Sequence, residues 1–307
     1  MGDQLPLIVL IGPTASGKSS LAIRLATLLA GRGKPAEIVN ADSMLVYRGM
    51  NIGTAKPSAD ELARVPHHLV DIMEITETAS VADFQSMARA TIERLRRGGI
   101  TPILVGGSSL YIRAIVDEFD FPGTDPDIRR KWQDELDRVG PQALHAVLAE
   151  RHPSAAASIL AGNGRRIVRA LEVIELTGDF SPRLPEPIYA LPQVHQFGLQ
   201  LERDEMDARI AQRVEQMWAD GFVDEARDLA ARGLREGLTA SRGLGYQQVL
   251  AYLAGELSEQ EAKQATIDGT RRFARKQLGW FARDPRIHWL QAADPRAAET
   301  ITEILGV

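Results

Sequence analysis

Apolar and polar positions change period several times along this chain, and each change marks an element. Residues 7–11, LIVLI, form an unbroken apolar run, as expected of a strand covered on both faces of a parallel sheet. Leu21, Leu25 and Leu28 follow at helical spacing, so a strand, a short loop and a helix are predicted in succession. EIVNA at 37–41 and TPILV at 101–105 read as two further buried strands, and NIGTAKP at 51–57 as a loop. Between the strands a helix is predicted over 80–97. Ser80 and Asp83 cap its start, Phe84, Ala88 and Leu95 share one face, and Gly98-Gly99 stop it. Past about residue 121 the texture changes. FPGTDP is turn-rich, and 127–138, 141–150 and 164–177 are short helical patterns with no strand-like run between them. Four prolines in 181–192 suggest a connector, and VHQFGL at 194–199 reads as a strand rejoining the core. A helix over 207–218, a loop at 244–246, a long helix over 258–283 with a Ser258…Glu261 capping box, and an edge strand at 287–290 complete the pattern.

The loop after the first strand carries the clearest chemistry. Gly12, Pro13, Thr14, Ala15, Ser16, Gly17, Lys18 and Ser19 match G-x-x-x-x-G-K-[ST] in the strand–loop–helix context that this motif requires. The glycines let backbone N–H groups face a phosphate, the helix start adds partial positive charge, Lys18 adds a full charge, and Ser19 offers a hydroxyl to Mg²⁺. An α/β fold is therefore expected: a P-loop NTPase-like parallel sheet core flanked by helices, with a helical insertion domain. The expected divisions are 1–122 and 191–307 for the core and 123–190 for the insertion.

Composition narrows the setting. The 307 residues are 44% hydrophobic and 25% charged, ordinary for a globular protein. Cysteine is absent, which excludes disulfides and thiolate metal sites. No apolar run reaches the ~18 residues of a membrane span, and MGDQLP does not read as a signal peptide. No membrane association and a cytoplasmic location are expected. The net charge of −5 argues mildly against a dedicated nucleic-acid module, but arginine is dense at 165–169 and 271–276.

Three further candidates stay open on pattern alone. Asp42 ends the second strand; if that strand pairs beside the first, it lies near the phosphate loop, but it reads equally well as a turn cap. His67 and His68 are adjacent, a poor metal pair, and read rather as structural histidines. Arg209 and Arg213 stand four apart on one helix face, and spacing alone favours solvated surface arginines over phosphate ligands. The strand at 101–105 ends in Gly106-Gly107, where a usual P-loop NTPase has a Mg²⁺-holding aspartate.

Several segments together resemble a known family. GPTASGKS at 12–19, NADSMLVYRGMNIGTAKP at 40–57, PHHLVD at 66–71, LVGGSSLYIRA at 104–114, RRIVRALEVIELTG at 165–178 and RKQLGWF at 275–281 look like the bacterial-type tRNA dimethylallyltransferases, or tRNA isopentenyl transferases. The match runs in order over nearly the whole chain. The resemblance implies transfer of a dimethylallyl group from dimethylallyl diphosphate to the exocyclic amine of the adenine immediately 3′ of the anticodon. The P-loop would hold a diphosphate leaving group, and Mg²⁺ is implied with Ser19 as its ligand. Asp42 would take the proton from the amine. Thr14, Lys18 and Arg213 would bind diphosphate oxygens. Asp42, Ser43, Met44, Leu45, Ser108, Arg130, Arg165, Arg166, Ile167, Val168 and Arg169 would contact the tRNA anticodon stem-loop. A monomer is expected. The alternative is a P-loop kinase, or a prenyltransferase acting on a free adenine nucleotide. The chain departs from the family pattern at Ser108-Ser109, commonly Thr-Gly, at the turn 161–164, and at Met44-Leu45, glutamines in many relatives.

Overall fold

The computed structural model describes residues 4–181 and 185–307. Six strands form one sheet: β1 (Leu7–Ile11), β2 (Ala36–Asn40), β3 (His67–His68), β4 (Thr101–Gly106), β5 (Val194–Gln200) and β6 (Ile287–Gln291), in the order β3-β2-β4-β1-β5-β6. Every neighbouring pair is parallel. All five residues of β1 are fully buried, because helices cover both faces. The alternation is visible in its packing. Leu7, Val9 and Ile11 join one apolar cluster with Phe84, Ile92 and Ile112. Ile8 and Leu10 join the other with Leu21, Leu25 and Ile301. Burying each such side chain stabilises the fold by about 1.5–3 kcal/mol.

The chain divides into two compact units, Met1–Asp117 with Tyr189–Val307, and Glu118–Ile188. Both edges of the second unit fall somewhat before the boundaries expected at 123 and 190. Of the proline-bearing connector, 182–184 lie outside the described residues. The second unit packs Trp132, Leu144, Leu148, Ile167 and Leu171 into its own core. The two helices expected at 127–138 and 141–150 are present within Pro126–Arg151, separated by a kink where Gly140 leaves helical dihedrals (φ 80°) ahead of Pro141.

Several elements were not foreseen. β3 is only two residues long, too short to show a period. His67 and His68 are structural there: the His67 ring meets the Val65 carbonyl at 2.7 Å, and His68 pairs with Glu37 at 2.6 Å. The expected loop at 244–246 closes a helix start, because Tyr246–Leu253 is helical. The short helices Ala59–Arg64, Ser109–Val116, Phe222–Ala231 and Ala297–Leu305 were also missed.

The carboxyl end of β4 explains its glycine. A Cβ on Gly106 would stand 2.6 Å from the Ala41 carbonyl oxygen on the chain leaving β2. No aspartate fits there. Gly106→Ala is expected to destabilise the protein by about 1–3 kcal/mol, since rigid backbone must move. Gly279→Ala, in an exposed helical position with open space around it, is expected to stabilise by about 0.5–1 kcal/mol. Thermal melts of the two variants check both signs.

Candidate active site

The phosphate loop leaves the end of β1 and turns into the helix Lys18–Gly31. Gly17 sits at the N-cap with φ 87°, a left-handed conformation that glycine adopts without a Cβ penalty. No side chain caps this helix, so its first N–H groups remain for an anion. Ser16 inside the loop is 1% exposed, and its hydroxyl has no hydrogen-bond partner among the described residues. Lys18 folds back and donates to the Pro13 carbonyl at 2.6 Å. Burial lowers its ammonium to about 8; the Asp42 charge opposes this shift and Arg213 adds to it.

Asp42 follows β2, but β2 pairs with β4 rather than with β1. The pairing on which its expected position depended does not occur. The carboxylate still stands close enough to the phosphate loop for its charge to act on Lys18, although β4 lies between the two strands. Its turn is built by Asn40, which is 3% exposed. The Asn40 side chain accepts from the Asp42 N–H at 2.7 Å and donates to the Asp42 and Leu69 carbonyls, both at 2.9 Å. Asp42 Oδ1 accepts from the Met44 N–H at 2.9 Å. The aspartate is thus both turn cap and site acid.

Arg213 belongs to the helix Arg203–Ala219 and points at the phosphate loop. It donates to Thr14 Oγ1 and to the Thr54 carbonyl, each at 3.4 Å. Burial lowers its pKa, and Asp42 counteracts this. Arg209, one turn earlier, instead pairs with Glu205 at 2.7 Å. The two arginines that spacing could not separate therefore have different partners. Gln277 was missed. It is 7% exposed, and its carbonyl oxygen accepts from the Thr14 N–H at 2.9 Å across 263 residues of chain. Its place within RKQLGWF was the only signal for it.

These groups line one cavity of 410 Å³ with Ser19, Ser43, Met44, Leu45 and Ser108. Phe273 and Leu244 add apolar wall. Tyr111 lies nearby, and burial pushes its phenol up to about 12, with Tyr47 and Asp42 adding to the shift. At neutral pH it holds its proton.

The second unit holds the remaining candidates. Ile167 and Val168, expected among the tRNA contacts, are 0% and 2% exposed and pack into the core of that unit. Arg169 is committed to Glu172 at 2.9 Å and to the carbonyls of Gly123 and Pro122. Arg130 is exposed beside Asp127 at 3.2 Å, and Arg165 and Arg166 are exposed at the start of the helix Gly164–Thr177. Among the described residues no cluster of three or more His, Asp or Glu suits a metal ion. None of the described helices is long and apolar enough to cross a membrane.

Comparison with known proteins follows the same line. A model of the family described as IPP transferase matches residues 45–284. A tRNA dimethylallyltransferase of Kineococcus radiotolerans is 59% identical over 292 residues, covering 94% of this chain and 92% of that protein. One from Cutibacterium acnes is 57% identical over 291 residues, covering 95% and 91%. Among solved structures, the full-length tRNA isopentenylpyrophosphate transferase of Bacillus halodurans is 38% identical with a TM-score of 0.70, covering 98% of this chain and 94% of that one. A eukaryotic dimethylallyltransferase acting on tRNA, 24% identical, shares the fold at a TM-score of 0.81, covering 98% and 79%.

The lowered Lys18 sets a pH dependence. Below about 8 the group is an ammonium that attracts an anion; above it the amine is neutral and the attraction is lost. Pyrophosphate affinity is therefore expected to fall as pH rises through about 8. Lys18→Arg should remove that inflection, since a guanidinium stays charged. Calorimetric titrations of both proteins from about pH 6 to about pH 10 check this, with the titration of the anion itself common to the two.

Proposed function

Because the chain belongs to the IPP transferase family, the tRNA dimethylallyltransferases, we propose that it transfers the dimethylallyl group of dimethylallyl diphosphate to the exocyclic amine of the adenine immediately 3′ of a tRNA anticodon. The observation that carries this reading is the meeting of Asp42, Lys18 and Arg213 in one cavity beyond the carboxyl ends of the strands. The cations face the phosphate loop, and the carboxylate stands at the neighbouring wall. A kinase, or a transferase acting on a free nucleotide, is not favoured by relatives described as acting on tRNA.

The adenine amine is a poor nucleophile because its lone pair is delocalised into the ring. It attacks the allylic carbon as the C–O bond to the diphosphate breaks, and the bonding pair leaves with the diphosphate. Charge grows on the leaving oxygens, where Lys18, Arg213 and the free N–H groups of the loop stabilise it. The nitrogen becomes positive as the new bond forms, and the Asp42 carboxylate takes its proton. The adenine must leave its stack to enter the cavity.

Ser19, exposed at the helix start, is the group that fits Mg²⁺. This cation commonly takes only one or two protein ligands beside phosphate oxygens and water. The bound ion would neutralise diphosphate charge. The packing at Gly106 leaves no room for the aspartate that helps to hold Mg²⁺ in usual P-loop NTPases, so hydrolysis of nucleoside triphosphates should be negligible. A monomer working in the cytoplasm fits this reading.

The direct test incubates the protein with dimethylallyl diphosphate and unmodified tRNA and looks for the product by mass; rapid ATP turnover without tRNA would contradict the proposal. Asp42→Asn keeps the shape but removes the base, so kcat is expected to fall by about 10²–10⁴-fold with tRNA affinity nearly unchanged. Neutralising Arg165 and Arg166 is expected to weaken tRNA binding. It should also flatten the salt dependence, by about 0.7–0.9 of a log–log unit for each phosphate that is no longer neutralised. Filter binding over a salt series measures both.

A further inference from the structure

The segment GMNIGTAKP at 49–57 has no role in the chemistry above, yet residues 53–55 form part of the cavity wall. Its backbone has an unusual partner. The N–H groups of Asn51 and Ile52 both donate to Glu225 Oε2, at 3.0 and 2.7 Å, and that of Gly53 donates to Oε1 at 3.2 Å. The Tyr246 hydroxyl completes the set, donating to Oε1 at 2.6 Å. Successive N–H groups converging on one point make an anion site. Here the protein fills that site with its own carboxylate.

The surroundings hold this arrangement firmly. Glu225 lies in the first turn of the helix Phe222–Ala231, where the helix start favours its charge. Phe222 and Tyr246 meet edge to face at 4.9 Å and are fully buried. A Cβ on Gly53 would come within 2.2 Å of the Phe222 ring, so the segment approaches that pair as closely as glycine allows. Burial and the Glu225 charge both raise the Tyr246 phenol, which keeps it a donor.

With three N–H groups turned toward Glu225, the next carbonyl, that of Thr54, faces Arg213 and accepts from its Nη2 at 3.4 Å. The other hydrogen bond of Arg213, to Thr14 Oγ1, is also 3.4 Å. Among the described residues no carboxylate forms a salt bridge with this arginine. Its aim thus depends on two neutral oxygens, one of them placed by Glu225.

We propose that Glu225 is a positioning residue for diphosphate binding: it fixes residues 51–54 so that the Thr54 carbonyl holds the Arg213 guanidinium over the phosphate loop. This rests on the reading of Arg213 as a diphosphate ligand.

The test is a double-mutant cycle read by calorimetric titration of Mg²⁺-pyrophosphate into the full chain, with a melt of every variant. Glu225→Gln keeps the shape but puts an amide donor against backbone donors. It is expected to weaken pyrophosphate binding about tenfold, while tRNA affinity stays within about twofold. On an Arg213→Ala background the same change is expected to shift pyrophosphate affinity by less than about twofold, because the group through which Glu225 acts is gone. Unchanged pyrophosphate affinity in Glu225→Gln would overturn the proposal. So would equal losses with and without Arg213, the pattern of a merely structural residue. If Glu225→Gln does not fold, Glu225→Asp and Tyr246→Phe enter the same cycle, with smaller losses that must again vanish without Arg213. If the unsubstituted protein itself binds no pyrophosphate, the functional reading fails, which is a separate outcome.

Discussion

Lys18, Arg213 and Asp42 share one cavity, which Arg242 also lines, and much of the architecture serves to keep the first three together. Burial disfavours the charged forms of Lys18 and Arg213, and Asp42 offsets this for both. These three groups carry one excess positive charge and Arg242 on the same wall adds another, a balance suited to an anion. A desolvated pair of cations binds such an anion more strongly than surface lysines would, because less water screens the interaction. The fold sustains this by fixing each group from a different element. Lys18 comes from the loop after β1, Asp42 from a turn built by Asn40, and Arg213 from a helix, its guanidinium donating to the Thr14 hydroxyl and the Thr54 carbonyl.

The legible parts of the sequence were those with local causes. Apolar runs marked β1 and the middle of β4, since a strand buried on both faces has no polar side to show, and shorter apolar stretches marked β2 and β5. Capping residues marked Ser80 and Ser258, and the phosphate loop announced itself by spacing. Strand order had no local signature. Asp42 reaches the site although β4 lies between its strand and β1, a geometry that period and spacing do not encode. Gln277 and Glu225 were hidden for a related reason. Each acts through hydrogen bonds to backbone groups more than 170 residues away, and an N–H group looks the same in every residue type.

The arginine-dense segment at 165–169 divides between core and surface in the second unit. RRIVR reads as a basic patch, but a helix turns about 100° per residue, so consecutive residues cannot share a face. Ile167 and Val168 point into the core, and Arg169 ties the helix to the chain at 122–123 through two carbonyls and to Glu172. Glu172, 0% exposed, is kept charge-paired by that arginine and also accepts from the Asp125 N–H. Part of the motif therefore holds the unit together, while Arg165 and Arg166 are exposed and Arg169 is half-buried.

The close approach between Gly106 and the Ala41 carbonyl also bears on how such a protein can change over time. A transferase of this kind stands near the P-loop hydrolases in architecture, and a single nucleotide change can turn a glycine codon into an aspartate codon. That change would not be a step toward hydrolysis here, because the side chain would meet main chain rather than open space. The strands would first have to move apart, through substitutions with no benefit of their own. The protein is thereby insulated from a lineage in which water competes with the acceptor, and a steric clash between two neighbouring strands acts as a barrier between one reaction class and another.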